Sequence, residues 1–273
     1  MAQLSFAEIE SYRDQGFVIP DFRLPRSRVQ QLRAALDQVI ADNPTIRPEQ
    51  LVSAHIEGGG SEGVNGCRDF LDLAHDSAIL DLVEQLIGPD IILWGCQVFC
   101  KPPGDGMEVP WHQDGHYWPI RPLATCTVWV AIDDSTVANG CMAVIPGSHR
   151  EKIMYQHYRD ERKNLVLNQT VAPGQFDMTA AVDIELQAGQ MSLHDVYMLH
   201  GSNANTSNKR RAGLAIRYMP ASSHFKRDLI PPSDASGYTV DFSGRPLWLM
   251  RGIDVCGKND FAIGHRPTTV ELS

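Results

Sequence analysis

The sequence has 273 residues, of which 43% are hydrophobic, and this is sufficient for a substantial buried core. The formal net charge is −9 and no dense run of Lys and Arg occurs, so we expect a small-molecule partner and no nucleic acid. Neither a signal segment nor an apolar run of membrane-spanning length is present, from which we expect no membrane association and a cytoplasmic location.

Helical signals dominate the N-terminal part of the chain. Ser5 and Glu8 have the spacing of a capping box, and Gly16 is suited to end the helix that they begin. Residues 45–65 are irregular and contain Gly58-Gly59-Gly60, which fits either a lid over a site or a plain connector. The predicted elements are a helix ending at Gly16, a strand over 17–20, a helix over 25–43 and a helix over 77–86.

From residue 90 onward, short apolar runs alternate with turn residues, which is typical of an antiparallel β-sandwich or jelly roll. The predicted strands cover 91–99, 125–132, 141–145, 182–186, 190–194 and 212–219. No polar linker separates them from the helices, so we predict a single domain. Its parts are an N-terminal helical part packed on the sheet (1–89), a jelly-roll core (90–220) and a C-terminal extension (221–273).

Two segments outside these strands are of interest. Residues 156–181 are polar and uneven, and an insertion of this length is suited to cover a site. The C-terminal extension is rich in Pro and Gly but contains an apolar patch at 246–250. This patch either packs back on the sandwich or forms the contact of a homodimer.

Candidate metal ligands lie two residues apart, at His112 and Asp114. On an extended backbone both side chains project from the same face. One imidazole and one carboxylate suit a divalent transition metal, and a further histidine completes the facial triad of non-haem iron(II) oxygenases. His200, at the end of an apolar run, is the best third ligand, with His194 as the rival and His75 as a further alternative.

The strand that begins at Arg211 has one unusual face. Strand alternation places Arg211, Gly213, Ala215 and Arg217 on the same side. Two cations among very small residues fill a core badly but suit a cavity for an anion, because an arginine fork binds a carboxylate through two hydrogen bonds. The alternative is a surface strand with solvated arginines.

Together these residues resemble the phytanoyl-CoA dioxygenase family of iron(II)/2-oxoglutarate oxygenases. The resemblance covers about residues 90–220 and implies a mainly β fold with flanking helices around a double-stranded β-helix, which is a jelly-roll, cupin-like core. The similar blocks are Lys101-Pro102-Pro103, His112-Gln113-Asp114-x-His116-Tyr117, Pro119-x-Arg121-Pro122, Trp129, Asn139-Gly140-Cys141, Ile145-Pro146-Gly147-Ser148-His149, His200-Gly-Ser202 and Arg211.

The resemblance also implies Fe(II), 2-oxoglutarate and O2 as cofactor and co-substrates. Two open metal positions would take the keto-acid end of 2-oxoglutarate, and the last would take O2. The implied residues are His112, Asp114 and His200 for the metal, Arg211 and Ser202 for the far carboxylate, and Trp129 and Gln97 for the wall of the co-substrate pocket.

The implied reaction is hydroxylation of a C–H bond of a small, anionic organic metabolite, with release of succinate and CO2. Asp114 favours hydroxylation, since halogenases of this fold have a small residue in its place. Desaturation, cyclisation or epimerisation by the same oxidant remain alternatives. A non-oxidative cupin-like metal protein is a weaker alternative, because it leaves Arg211 unexplained.

Residues just past the first ligands are expected to face the substrate. These are His116, Tyr117 and Trp118, although Trp118 equally suits a core position or a co-substrate wall. Arg217 shares its strand face with Arg211. If it points into the barrel, the substrate carries a second anion such as a carboxylate, phosphate or phosphonate.

Overall fold

The structure is a computed structural model that describes residues 1–58, 63–229 and 241–265. Three helical predictions are confirmed, and the first helix has the expected capping box at Ser5 and a left-handed Gly16 after its end. Among the helices described, none has the length and apolar character needed to cross a bilayer. The helices in these residues are α1 (Phe6–Gln15), α2 (Arg26–Asp42), α3 (Arg68–Ala74) and α4 (Ser77–Ile87).

The rest of the described chain is mainly β structure, and many of its strands are very short. In chain order they are β1 (Phe17–Val18), β2 (Leu51–Val52), β3 (Ile91–Lys101), β4 (Val109–His112), β5 (Ile120–Arg121), β6 (Cys126–Ala131), β7 (Met142–Val144), β8 (His157–Arg159), β9 (Gln169–Val171), β10 (Val182–Ile184), β11 (Met191–Asp195), β12 (His200–Ser202), β13 (Arg211–Pro220), β14 (His224–Phe225) and β15 (Trp248–Arg251).

Two antiparallel sheets form the core of the described chain. The larger has the order β1-β11-β6-β13-β3-β15, with β2 also paired to β3, and the smaller has the order β10-β7-β12-β4. Apolar side chains of both sheets, including Trp129, Val144 and Ile184, pack in the space between them. This arrangement is a jelly roll, and the predicted mainly β fold class is confirmed.

The helices cover the outer face of the larger sheet. Leu32 and Leu36 of α2 and Phe70 of α3 belong to the same buried cluster as Val128 and Leu214 of the sheet. Side chains alternate along each strand of this sheet, so one face packs against the helices and the other faces the space between the two sheets. The larger sheet therefore presents only its inner face to the site.

The structure describes most of the segments whose roles the sequence left open, namely 45–65, 156–181 and the apolar patch at 246–250. Residues 51–55 of the first segment are largely buried and include β2 on the larger sheet, while 59–62 lie outside the described residues. Residues 157–171 form the ribbon of β8 and β9. The apolar patch near Trp248 packs back as an edge strand, β15 against β3. The homodimer and the division into three parts stay predictions.

Candidate active site

Three candidate ligands meet between the sheets. His112 ends β4 and His200 begins β12, and the two residues are paired across these strands. Asp114 opens the short turn after β4. One ligand atom from each of the three lies within 4.8 Å of the others, and all three side chains are buried. The structure thus brings together the residues that the sequence proposed as a metal triad.

The two histidines are oriented by backbone carbonyls. His112 Nδ1 lies 2.8 Å from the carbonyl oxygen of Pro110, and His200 Nδ1 lies 3.1 Å from that of Met198. A carbonyl oxygen only accepts, so each Nδ1 carries the proton and donates it. Each Nε2 then keeps its lone pair for a metal, as in many histidine metal sites. The donor set therefore fits a divalent transition metal.

The charge states of the triad also suit a metal. Burial opposes ionisation of Asp114, but His112 and His194, together with the charge of Arg217, hold the pKa of that carboxyl well below its usual range. Burial, reinforced by the neighbouring His112, lowers the pKa of His200 to about 3. At neutral pH the group has one carboxylate and a neutral imidazole at His200, which is the form that binds a metal.

The side chain of Gln113, between the two ligands His112 and Asp114, fixes the turn through hydrogen bonds. Its side chain is fully buried, and its amide nitrogen donates to the carbonyl oxygens of Ile153 and Tyr197. Its side-chain oxygen accepts a hydrogen bond from the backbone of Tyr155. Because every polar atom of the amide is used, the residue between the ligands is held in place.

The two rival histidines have different surroundings. His194 is buried next to the triad, with Nε2 3.9 Å from Asp114 Oδ2, but it is not a member of the three-ligand group. His75 follows α3, with Nδ1 2.9 Å from the carbonyl oxygen of Leu71. His200 therefore has the geometry of the third ligand, and His194 is a neighbour of the group.

A cavity adjoins the triad. Arg211, Ser202 and Trp129 all line it, together with His112, Asp114 and His200. The Arg211 guanidinium lies 5.4 Å from the Trp129 ring centre and donates to the carbonyl oxygen of Gly140 and to Ser202 Oγ. Burial lowers the pKa of Arg211 to about 10, which leaves it charged at neutral pH.

The small residues of β13 make room for this arrangement. A Cβ at Gly213 would lie 2.1 Å from an atom of the Trp129 ring. Ala215 and Arg217, on the same face, also line the cavity, whereas Leu214 and Ile216 belong to the core cluster on the opposite face. The alternation expected from the sequence thus separates a cavity face from a core face.

Lys101 lies behind Ser202, and the sequence attached no role to it. Its Nζ lies 3.2 and 2.7 Å from the backbone oxygen and Oγ of Ser202, and it also contacts the backbone oxygen of Asn203. Burial, with the nearby charge of Arg211, lowers the pKa of Lys101 to about 6. Lys101 therefore fixes the position of the Ser202 hydroxyl beside Arg211.

A second, larger cavity lies beyond Arg217, which lines both cavities. Tyr117 and Trp118 line it, as does Gln97. The sequence placed Gln97 on the co-substrate wall, but here its Oε1 accepts a hydrogen bond from Arg217, and it does not line the first cavity. His116 lines neither cavity and stacks on His157, with ring centres 4.1 Å apart.

The sequence profile of the phytanoyl-CoA dioxygenase family (PhyH) matches residues 12–213, which is most of the chain. The chain belongs to this family. The match includes the triad and Arg211, whereas Ala215 and Arg217, which also line the first cavity, follow the matched region. The second cavity is lined in part by Phe242 and Arg245, which follow that region.

Two relatives and one solved structure show how similar this chain is to known proteins. A probable alpha-ketoglutarate-dependent hypophosphite dioxygenase from Stutzerimonas stutzeri is 33% identical over 156 residues, which cover 56% of this chain and 54% of the relative. A probable phytanoyl-CoA dioxygenase from Caenorhabditis elegans is 24% identical over 234 residues, covering 79% and 75%. Among solved structures, the non-heme monooxygenase ThoJ in its apo form has a TM-score of 0.71 at 26% identity, covering 95% of this chain and 88% of that one.

Membership of the phytanoyl-CoA dioxygenase family confirms the family, the oxidoreductase class and the cofactor set that the sequence predicted, namely iron and 2-oxoglutarate. Several residues of the site were nevertheless missed. Lys101 and Gln113 lie inside recognised sequence blocks, and only their buried hydrogen bonds reveal what they do. Arg245 comes from the C-terminal extension, and no local pattern connects it with the triad.

Proposed function

We propose that the protein hydroxylates a C–H bond of a small, anionic organic metabolite, using Fe(II), 2-oxoglutarate and O2 and releasing succinate and CO2. His112, Asp114 and His200 would hold the iron. Arg211, with Ser202 beside it, would bind the far carboxylate of 2-oxoglutarate, and Trp129 would form part of its pocket. The substrate would occupy the second cavity, beyond Arg217.

One observation carries this proposal: a buried, charged arginine lines the same cavity as the three candidate ligands. Arg211 is only 2% exposed, and burying a guanidinium is costly unless an anion compensates its charge. 2-Oxoglutarate accounts for both features, because one end binds a metal and the other is a carboxylate. A metal-binding protein without this co-substrate accounts only for the triad.

When bound, iron and 2-oxoglutarate supply the oxidising chemistry, in which one atom of O2 enters succinate and the other enters the substrate. The protein's residues bind, orient and exclude water. Arg211 offers a pre-positioned fork, whose hydrogen-bonding direction is set by the Gly140 carbonyl oxygen and the Trp129 ring. Asp114 stays ionised because His112, His194 and the charge of Arg217 outweigh the effect of burial, and His200 stays neutral because burial lowers its pKa.

Succinate formation from 2-oxoglutarate tests this function directly. With Fe(II) and O2, the wild-type protein should convert 2-oxoglutarate to succinate, and His112→Ala should abolish the conversion. His75→Ala is the matched control, since His75 lies outside the candidate site and should leave conversion unchanged. A wild-type protein that neither forms succinate nor binds 2-oxoglutarate tightly would contradict the proposal.

The product distinguishes hydroxylation from the other outcomes of the same oxidant. Hydroxylation adds one oxygen atom to the substrate, whereas desaturation and ring closure remove two hydrogens and epimerisation leaves the mass unchanged. Mass spectrometry of the product, with 18O2 as the oxygen source, measures this difference. We expect one labelled oxygen atom in the product and one in succinate.

A further inference from the structure

We infer that the second cavity binds the oxyanion group of the substrate between two buried arginines, Arg217 and Arg245. This inference rests on the proposed function, because it assigns the substrate class of the same enzyme. The group would be a phosphonate, a phosphate or a carboxylate, since all three offer several oxygens to a guanidinium fork. Arg245, from the C-terminal extension, would complete the site.

Arg217 has unused hydrogen-bonding capacity inside the cavity. It is 7% exposed, and its Nη2 donates to Gln97 Oε1 at 3.1 Å. Its Nε is buried and has no hydrogen-bond partner. A buried donor without a partner costs free energy, so this guanidinium is incompletely satisfied. An anion in the cavity would compensate its charge.

Arg245 is brought next to Arg217 by the sheet. Arg217 on β13 is paired with Gly95 on β3, and a Cβ at Gly95 would lie 3.6 Å from Arg245 Nη1. The Arg245 guanidinium therefore lies close over the strand at Gly95. Because neighbouring strands lie only about 5 Å apart, both cations reach the same part of the cavity.

Arg245 is held in this position from behind. Its Nη1 donates to Ser53 Oγ at 2.7 Å, and Ser53 is fully buried. Ser53 has a φ of 58°, a conformation that residues other than glycine rarely adopt. A strained residue that orients a buried cation is typical of a binding site, where the surrounding structure maintains the strain.

The walls around the two arginines are aromatic and uncharged. The Arg217 guanidinium lies 5.7 Å from the ring centre of Trp94 and 5.3 Å from that of Trp118, and Arg245 lies 5.5 Å from that of Phe242. Among the described residues that line this cavity, none is a carboxylate. The cavity therefore has two cations among aromatic and neutral polar side chains, which suits a bound anion.

His55 is a buried neighbour of this pair, and its ring nitrogens have no hydrogen-bond partner among the described residues. Burial is the main cause that lowers the pKa of His55 to about 3, and the charges of Arg245 and Arg217 add to it. The imidazole is therefore neutral at neutral pH and adds no further positive charge beside the two arginines.

The two anion positions are separated along one strand. Arg211 and Arg217 are six residues apart on the same face of β13, which corresponds to about 20 Å between their Cα atoms. Both arginines line the first cavity together with the triad. An anionic group held at Arg217 and Arg245 would direct the rest of the substrate towards the metal, from the side opposite the 2-oxoglutarate carboxylate.

Binding of small anions to the loaded enzyme tests this inference. The protein is saturated with Fe(II) and 2-oxoglutarate without oxygen, so that Arg211 is occupied, and is titrated calorimetrically with methylphosphonate, acetate or neutral acetamide at pH 8. We expect both anions to bind and acetamide not to bind. Arg217→Met and Arg245→Met should each weaken anion binding about 10- to 100-fold, because each removes hydrogen bonds to a charged group. The anion that binds more tightly identifies a phosphonate-like or a carboxylate-like group.

Matched variants keep the test decisive. Arg251→Met removes a cation from β15 that pairs with Asp81 and Glu84 outside the cavity, so anion binding should be unchanged. Arg217→Lys and Arg245→Lys keep the charge and should have intermediate affinities. Retained 2-oxoglutarate binding shows that a variant has folded.

The outcome separates this inference from the proposed function. Acetamide binding as tightly as the anions, or anion binding that is equal in wild type, Arg217→Met and Arg245→Met, would overturn the inference. If succinate forms but no anion binds, the inference alone fails. If the anions bind at these arginines but 2-oxoglutarate is never consumed, the proposed function alone fails.

Discussion

Two consecutive arginines, Arg210 and Arg211, have opposite environments because successive residues of a strand project to opposite sides. Arg210 pairs at the surface with Asp37 and Asp133. Arg211 is buried in the first cavity, next to Ser202, and has no carboxylate partner among the described residues. The same side chain therefore serves as a surface ion pair at one position and as a proposed co-substrate ligand at the next.

Replacing Arg211 should selectively impair 2-oxoglutarate binding. We expect Arg211→Ala to raise the KM for 2-oxoglutarate about 10- to 150-fold, which corresponds to losing about 1.5–3 kcal/mol of charged hydrogen bonding. The KM for substrate should change much less. Steady-state kinetics with each reactant varied in turn measures both constants. Arg210→Ala is the control and should alter neither; equal effects of Arg211→Ala on both KM values would count against the assigned role.

His55 should make the protein less stable in acid. Its pKa is about 3 in the folded chain, against an ordinary value of 6.5 when unfolded, so below pH 6.5 the unfolded chain binds a proton that the folded chain does not. Stability therefore falls as pH decreases from 6.5 towards 3. From pH 7 to pH 5 this amounts to about 2 kcal/mol.

Urea unfolding at pH 7 and pH 5 measures this contribution, with His55→Leu as the comparison. The wild-type protein should lose about 2 kcal/mol more than the variant between the two pH values. The difference in pH dependence is informative even if the variant has a different stability at pH 7. Parallel pH profiles for the two proteins would show that His55 does not carry this effect.

At the scale of elements, local signals explain the long helices and strands. Ser5 and Glu8 form the expected capping box, and the apolar stripe of α2 is buried. The His75-Asp76 pair, which resembles a ligand pair in sequence, lies where α3 ends and α4 begins. Asp76 accepts hydrogen bonds from the backbone of Ala78 and Ile79, so it caps a helix.

Replacing Asp76 should reduce stability without affecting the reaction. Loss of an N-cap costs about 1 kcal/mol, so Asp76→Ala should lower the free energy of unfolding by that amount. 2-Oxoglutarate turnover should be unchanged. Asp72→Ala is the control, because Asp72 forms an exposed pair with Arg68 within α3 and should cost less than about 0.5 kcal/mol. Loss of turnover in folded Asp76→Ala protein would contradict the capping role.

At the scale of the whole molecule, the site exists only where the two sheets face each other. His112 and His200 come from the smaller sheet, while Arg211, Trp129 and Arg217 come from the larger one. Binding of a metal and 2-oxoglutarate would connect both sheets. A ligand that binds only the folded chain stabilises it by mass action.

This linkage should be visible as a rise in the unfolding temperature. With Fe(II) and 2-oxoglutarate at about 100 times their dissociation constants and without oxygen, stabilisation should be at least about 2.7 kcal/mol. For a chain of this size the Tm should rise by at least about 5 °C, measured by scanning calorimetry. His112→Ala should lose the rise, and His75→Ala should keep it. An equal rise in wild type and His112→Ala would show that the ligands stabilise the protein elsewhere.

The sequence by itself determined the features that depend on local periodicity or on ordered blocks of residues. The helix ends at Gly16 and Gly88, the long strands and the two faces of β13 follow from capping and alternation, which act over a few residues. The ordered blocks around His112 and His200 indicated the family, which the profile match confirmed. The choice of His200 over His194 also began as a prediction from sequence.

Only the tertiary structure decided which distant residues share a cavity. The short strands β4 and β12 have too few residues for a periodic signal, yet their pairing places His112 opposite His200. Gln97 contacts Arg217 and lines the second cavity, and Arg245 reaches the same cavity from the C-terminal extension. Such contacts depend on sheet register and on the path of the C-terminal extension, and these are set by burial across the whole chain.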